Sequence, residues 1–245
     1  MFSPLERAAR LWRARPDFSV RDQRLEMMED PDLPRSDLDD ALRELRRMNR
    51  VFGGVHMSRQ AIARAVGGRT SFTMLDVGCG DGEIPRDVAK WAAAKGKGFD
   101  ALGVDLTQAS IDLARELTSP QWSIRYSKTD LFDLPEDQKW DIVHTSLVMH
   151  HLTEAQTDAA IAKMLRLARV AVIINDLHRA PVAWLGAALG ARAVTRCHVV
   201  HADAPHSVAR AFVREDLEAM ARRSDASASE LSWRFPYRWM LRLTP

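Results

Sequence analysis

Residues 75–82 read LDVGCGDG, with glycine at 78, 80 and 82, an apolar run before them and a plausible helix after them. Glycine has no Cβ, so three at alternate positions let the backbone turn sharply and approach a ligand without a side chain in the way. A dinucleotide, a nucleoside or a phosphate would suit such a turn, and so would a plain connection from strand to helix. No Gly-Lys-Ser/Thr follows, which disfavours a phosphate loop. The spacing is G-x-G-x-G, not the G-x-G-x-x-G that receives a pyrophosphate. Asp81 and Glu83 also put two carboxylates at the helix start, where they repel a pyrophosphate and tolerate a cationic ligand.

Outward from this turn the chain alternates apolar runs with helical patterns. Strands are predicted at 72–77, 101–106, 122–127, 140–145 and 170–175, with helices at 83–95, 108–117 and 154–168 between them. That rhythm predicts an α/β fold with a doubly wound parallel sheet covered on both faces. Ligands of such sheets lie beyond the carboxyl ends of the strands, so Asp76 to Gly82, Asp105, Asp130 and Ser146 should converge on one crevice. Asp105 ends the second strand, where a carboxylate can accept ribose hydroxyls.

Upstream, SDLDDALRELRRMNRVFGG (36–54) predicts a helix capped by Ser36 with Asp39 three residues on, and stopped by Gly53. Its apolar stripe of Leu38, Leu42, Leu45 and Phe52 is interrupted by Asn49, an amide that needs a partner if buried. Arg43, Arg46, Arg47 and Arg50 read as a solvated face. A short helix over 58–66 follows, and the pattern changes near residue 70. Downstream come a helix near 181–193, a His-rich loop, a helix near 214–223 and the strand-like SELSWRFPYRWMLRL (229–243).

The 245 residues are 46% hydrophobic, enough for a sizeable core in one α/β domain with an added segment. The 35 basic and 33 acidic residues are interspersed, so no one-sign block suggests nucleic acid. Two distant cysteines, Cys79 and Cys197, suit a reducing compartment. The amino-terminal MFSPLERAARLWRARPDF lacks a continuous apolar core, and APVAWLGAALGARAV (180–194) is too short to span a bilayer. A cytoplasmic protein without stable membrane insertion is expected, as monomer or homodimer.

LDVGCGDGEIP (75–85) resembles motif I of the class I S-adenosylmethionine-dependent methyltransferases, and ALGVDLTQASIDLARE (101–116) resembles their acidic second-strand motif. SKTDLFDLP (127–135) and WDIVHTSLVMHHLTE (140–154) resemble the next two. In order, these motifs cover about residues 72–175. Within the superfamily the chain is similar to ubiquinone/menaquinone-biosynthesis-type enzymes and to relatives that methylate phenolic or polyketide natural products. The resemblance implies a Rossmann-like seven-stranded sheet with helices on both faces, a helical lid over residues 1–70 and a methyltransferase domain over 71–245. It implies S-adenosylmethionine as cofactor, with Gly78, Gly80 and Gly82 against the methionine part and Asp76 as its polar support. Asp105, with Leu106 beside it, would meet the ribose, Asp130 and Leu131 the adenine, and Ser146 the methyl-donor end. The lid would bring Asn49 to the ligand. Cys79 stands where the family accepts Cys, Thr or Ala, so no reactive thiol is implied.

Methyl transfer to oxygen needs an in-line approach and a deprotonated acceptor, and a phenol of pKa about 10 benefits from a nearby base. Seven of the eight histidines follow residue 140. His150, His151 and His178 are the candidate bases, the last with Asp176 nearby to orient it. The spacing of His198, His201 and His206 lacks a familiar partner set apart from Asp203, so no metal is expected. These features favour O-methylation of a small phenol or polyketide-like acceptor. Carbon or nitrogen methylation, a nicotinamide-dependent oxidoreductase and a non-methylating cofactor-binding protein are the alternatives.

Overall fold

The computed structural model describes residue 12 and residues 15–30 and 32–245. The amino-terminal stretch read for export lies largely outside these residues. Five parallel strands, β1 (Ser71–Val77), β2 (Gly98–Asp105), β3 (Ile124–Lys128), β4 (Trp140–Ser146) and β5 (Ala168–Leu177), form most of one sheet. The hairpin β6 (Ala228–Arg234) and β7 (Arg238–Thr244) completes it antiparallel, giving the order β3-β2-β1-β4-β5-β7-β6. The helices are α1 (Arg35–Val51), α2 (Gly54–Val66), α3 (Glu83–Ala94), α4 (Gln108–Leu117), α5 (Glu154–Leu167), α6 (Pro181–Val194), α7 (His198–Arg210) and α8 (Arg214–Arg223).

The strands read as continuous apolar runs because both faces of the sheet are buried and side chains alternate between them. Leu75, Val77, Val143, Val172 and Ile174 pack with Ile161 and Met164 of α5 and Leu217 of α8. Met74, Ile142 and Ile173, one residue out of phase, meet Ile62 and Val66 of α2 and Ile84 and Val88 of α3 on the other face. Each such fully buried aliphatic side chain contributes about 1.5–3 kcal/mol. Helix α2 thus shares the core of the sheet, whereas Ala41 and Met48 of α1 pack with Val199, Val200 and Ala204 of α7.

Three local expectations are corrected. Helix α1 starts after Pro34, not Ser36, and Asp39 pairs with Arg35 at 2.9 Å instead of closing a capping box. The pattern mistaken for a His-rich loop is α7, which carries Pro205 in its interior. The strand-like ending is a hairpin turning at Phe235 to Tyr237, not one strand.

Residues 15–30 form a strap across α7. Asp22 donates its backbone N–H to the Ala209 carbonyl at 3.2 Å, and Asp203 accepts the N–H groups of Met27 and Met28 at 2.8 and 3.0 Å. The α1–α2 junction is equally tight. Gly53 adopts φ +73°, and a Cβ on Gly54 would stand 1.9 Å from Asn49 Oδ1 and 2.9 Å from the Arg238 guanidinium carbon. Gly54→Ala should therefore destabilise the protein by about 2 kcal/mol, as overpacking does. Urea denaturation followed by circular dichroism checks this.

Candidate functional site

The glycine turn between β1 and α3 uses each of its glycines differently, and all three are left-handed, with φ of +66°, +54° and +75°. A Cβ at 78 would strike Val148 at 2.3 Å and one at 82 would strike the Tyr126 hydroxyl at 2.3 Å, so those two serve packing. A Cβ at Gly80 would meet nothing within 4 Å. Gly80 faces open space, which is the position a ligand needs. The turn is pinned to the end of β2: Gly78 and Cys79 donate to the Val104 carbonyl at 2.8 and 3.0 Å, and Gly80 donates to Asp105 Oδ2 at 3.0 Å. The other Asp105 oxygen accepts the Thr107 N–H at 2.9 Å. Burial raises the Asp105 pKa above the ordinary carboxylate value, although both of these hydrogen bonds oppose the rise.

Above the turn opens a cleft with a volume of about 140 Å³. Leu42, Leu45, Arg46 and Asn49 of α1 form one wall, and Ser146 and Leu147 at the end of β4 form another. Leu147 is a non-glycine residue held at φ +58°, the kind of strain that clusters at ligand sites. The Ser146 hydroxyl is buried and has no hydrogen-bond partner among the described residues. Such an orphaned group calls for a ligand.

The arginines of α1 are not simply a solvated face. Arg46 pairs with Asp81 at 3.0 Å and Arg50 with Glu83 at 2.6 Å, while Arg86 reaches Asp81 at 3.4 Å. These pairs latch α1 to the glycine turn. They also offset the two carboxylates, so the argument that charge excludes a pyrophosphate loses force and the glycine spacing alone carries it. Desolvation still raises the Glu83 pKa.

Behind the cleft runs a buried polar chain. Asp76 Oδ1 lies 2.6 Å from His144 Nδ1, and His144 Nε2 lies 2.9 Å from Ser58 Oγ. Asn175 donates to Ser58 Oγ at 2.8 Å and to the Gly54 carbonyl at 3.1 Å. Arg238 then donates to Asn175 Oδ1 at 3.4 Å and to Asn49 Oδ1 at 2.9 Å. Both ends, Asp76 and Asn49, line the cleft. Complete burial lowers the Arg238 pKa to about 10, still cationic at neutral pH. Sequence reasoning missed His144, Ser58, Asn175 and Arg238. The one available signal was a histidine inside the apolar run of β4, where a buried strand should have none unless it is partnered.

Of the other residues proposed for the cofactor, Gly78, Cys79 and Gly80 also line the cleft, while Gly82, Asp105, Leu106, Asp130 and Leu131 do not. Leu106 is exposed and Leu131 sits in the main core. Asp130 caps the short turn Leu131–Asp133 by accepting the Phe132 N–H at 2.9 Å. Burial, with the charges of Asp76, Asp105 and Asp81, pushes the Cys79 thiol far up, so it is inert.

None of the three candidate bases lines the cleft. His178 Nδ1 accepts from Trp233 Nε1 at 3.1 Å, which leaves its proton on Nε2. His150 is buried, with Nδ1 2.6 Å from Asp176 Oδ1 and Nε2 3.7 Å from Glu26 Oε1. Burial opposes its charged form, yet Asp176 and Glu26 outweigh burial and raise its pKa. His151 Nδ1 lies 3.0 Å from Glu29 Oε1, and burial with the neighbouring His150 lowers its pKa to about 4. On α7 the spaced histidines find separate partners: His198 is exposed, His201 Nε2 meets the Thr195 carbonyl at 2.8 Å, and His206 lies 3.5 Å from Asp22.

Residues 74–171 match the family described as "Methyltransferase domain". The seven-stranded sheet with its glycine turn is the fold of the class I S-adenosylmethionine-dependent methyltransferases, and the family match lies over its parallel strands. It is similar to the ubiquinone biosynthesis O-methyltransferase of Acinetobacter baylyi, 28% identical over 134 residues, which is 53% of this chain and 54% of that one. The enzyme of the same name from Pasteurella multocida is 26% identical over 147 residues, 55% of this chain and 58% of that one. The chain thus spans only about half the length of the curated relatives it matches. Among solved structures, the plantazolicin methyltransferase BpumL in complex with SAH superposes with a TM-score of 0.67 at 12% identity over 98% of both chains. Magnesium protoporphyrin IX methyltransferase from Synechocystis PCC 6803 with bound SAM gives 0.54 at 17% identity, covering 89% of this chain and 88% of that one. At these identities the likeness is one of fold. No helix among the described residues is long and apolar enough to cross a membrane.

Replacing His144 with Leu removes the partner of a buried carboxylate and should cost about 3 kcal/mol. A denaturation midpoint equal to that of the unsubstituted protein would show that the chain from Asp76 to Asn49 carries no stability.

Proposed function

We propose that the protein binds S-adenosylmethionine in the cleft over the glycine turn and transfers its methyl group to a hydroxyl of a small aromatic or polyketide-like acceptor. The observation that carries the reading is Gly80, whose bare Cα faces the cleft that the orphaned Ser146 hydroxyl also lines. When bound, the cofactor supplies an electrophilic methyl group on a sulfonium. The chain's own residues bind and orient. Asp105, behind Gly80 and just outside the cleft lining, spends one lone pair on Gly80 and one on Thr107, leaving acceptor capacity for ribose hydroxyls that extend past the turn. Asp76 spends one oxygen on His144 and keeps a carboxylate at the cleft for a cationic ammonium. Leu42 and Leu45 exclude water from above, and the ion pairs of Arg46 and Arg50 hold α1 as a lid. Holding the acceptor oxygen in line with the methyl supplies rate through orientation. O-methylation is supported by the names of the curated relatives, which are O-methyltransferases acting in ubiquinone biosynthesis.

Two measurements test the reading. Gly80→Ala, the smallest side chain at this left-handed position, should weaken binding of S-adenosylhomocysteine in calorimetry, with circular dichroism reporting the fold, and Asp105→Ala should weaken it by about tenfold, or about 1.4 kcal/mol. Incubation with methyl-labelled cofactor and a panel of phenols and polyketides should yield a methyl ether and S-adenosylhomocysteine. Tight NADH binding without S-adenosylhomocysteine binding would overturn the assignment.

A further inference from the structure

Beneath the strap, away from the cleft, the structure gathers Glu26, His150 and His151 so that one ligand atom from each lies within 4.8 Å of the others. We propose that these three residues bind one divalent transition-metal ion of the zinc class, which clasps residues 15–30 onto the turn that follows β4. The inference is independent of the methyl-transfer reading, because none of the three ligands lines the cleft.

The distances suit an ion better than a direct bond. His150 Nε2 and Glu26 Oε1 are 3.7 Å apart, too far for a hydrogen bond. Two ligands at about 2.1 Å on a tetrahedral ion stand roughly 3.4 Å apart, so only a small closure is needed. The orientation of His150 is the one a ligating imidazole requires. Its Nδ1 donates to Asp176 at 2.6 Å, which fixes the ring and leaves Nε2 free toward Glu26. Asp176 is itself held by the Leu177 N–H at 2.7 Å. The neighbouring ring of His151 is held in the same manner by Glu29, which accepts the Glu26 N–H at 2.7 Å and pairs with Arg210.

Charge points the same way. Four carboxylates, Glu26, Glu29, Asp176 and Asp203, surround the imidazoles, against the two guanidiniums of Arg21 and Arg210, both of which spend donors on the His150 carbonyl. Carboxylates thus outnumber guanidiniums around the pair, a setting that receives a cation. Two nitrogens and one oxygen select a transition metal over magnesium or calcium, which prefer oxygen alone. Glu26 and His150 are each 3% exposed and His151 is partly exposed, so two ligands are sealed from solvent and the fourth position is open to a water. The ion would join segments more than 120 residues apart, as the Glu29 to His151 contact already does.

The test uses the whole chain, stripped with chelator, reloaded with Zn²⁺ or Co²⁺ and exchanged into metal-free buffer. One equivalent of zinc by mass spectrometry, ligand-field bands of nitrogen and oxygen coordination in the cobalt form, and slower tryptic cleavage at Arg24 are expected. Glu26→Gln and His151→Asn should each weaken metal affinity at least about tenfold, since even residues behind the ligands cost that much. His198→Ala, on the exposed side of α7, should leave it unchanged. Circular dichroism confirms the fold of each variant, and Glu26→Gln, which keeps shape and size, stands if a histidine variant fails to fold. A folded wild type that retains no zinc, or a Glu26→Gln form that binds as tightly as wild type, overturns the site. Binding without protection at Arg24 overturns the clasp.

Discussion

The hydrogen bond between Asp76 and His144 joins the carboxyl ends of β1 and β4 inside the buried core. A buried carboxylate tolerates that position only if every neighbouring donor is in place. Ser58, Asn175, Arg238 and Asn49 meet that demand in succession, and each comes from a different element: α2, β5, β7 and α1. The apolar packing of the sheet would accept many small shifts of these elements. The polar chain does not, so it fixes the register of the cleft walls against the glycine turn.

A second electrostatic layer lies on the outside of the cleft. Arg46 and Arg50 cross to Asp81 and Glu83 from a helix whose apolar side rests on α7, not on the sheet. Helix α1 is therefore seated by packing on one side and by charge on the other. The two contributions differ in kind, since salt screens the partly exposed pairs and leaves the apolar contacts intact.

Much of this was legible in the sequence because it rests on local pattern. Alternating apolar runs and helical periodicity located the five parallel strands, and LDVGCGDG marked the turn that faces the cleft. The failures share a cause. The relay couples residues 49, 58, 76, 144, 175 and 238, and no spacing rule connects positions so far apart. The histidines of α7 looked like a loop because His, Asp and Pro weaken helix propensity, while burial of Val199, Val200 and Val208 decides the matter in three dimensions. Arg46 and Arg50 were read as solvated since their partners lie some 33 to 35 residues away on the glycine turn. Glu26 carried no signal at all until folding placed it over His150.

Strand β7 sits between β5 and β6, so β6 has no neighbour in the sheet until the later strand arrives. Arg238, the link between Asn175 and Asn49, belongs to that same strand. The five parallel strands pair with one another without it, whereas the wall of the cleft is tied down only through residues 238–244. Completion of the cleft wall therefore depends on β7, and a chain lacking that strand would keep its glycine turn while losing the scaffold that aims it.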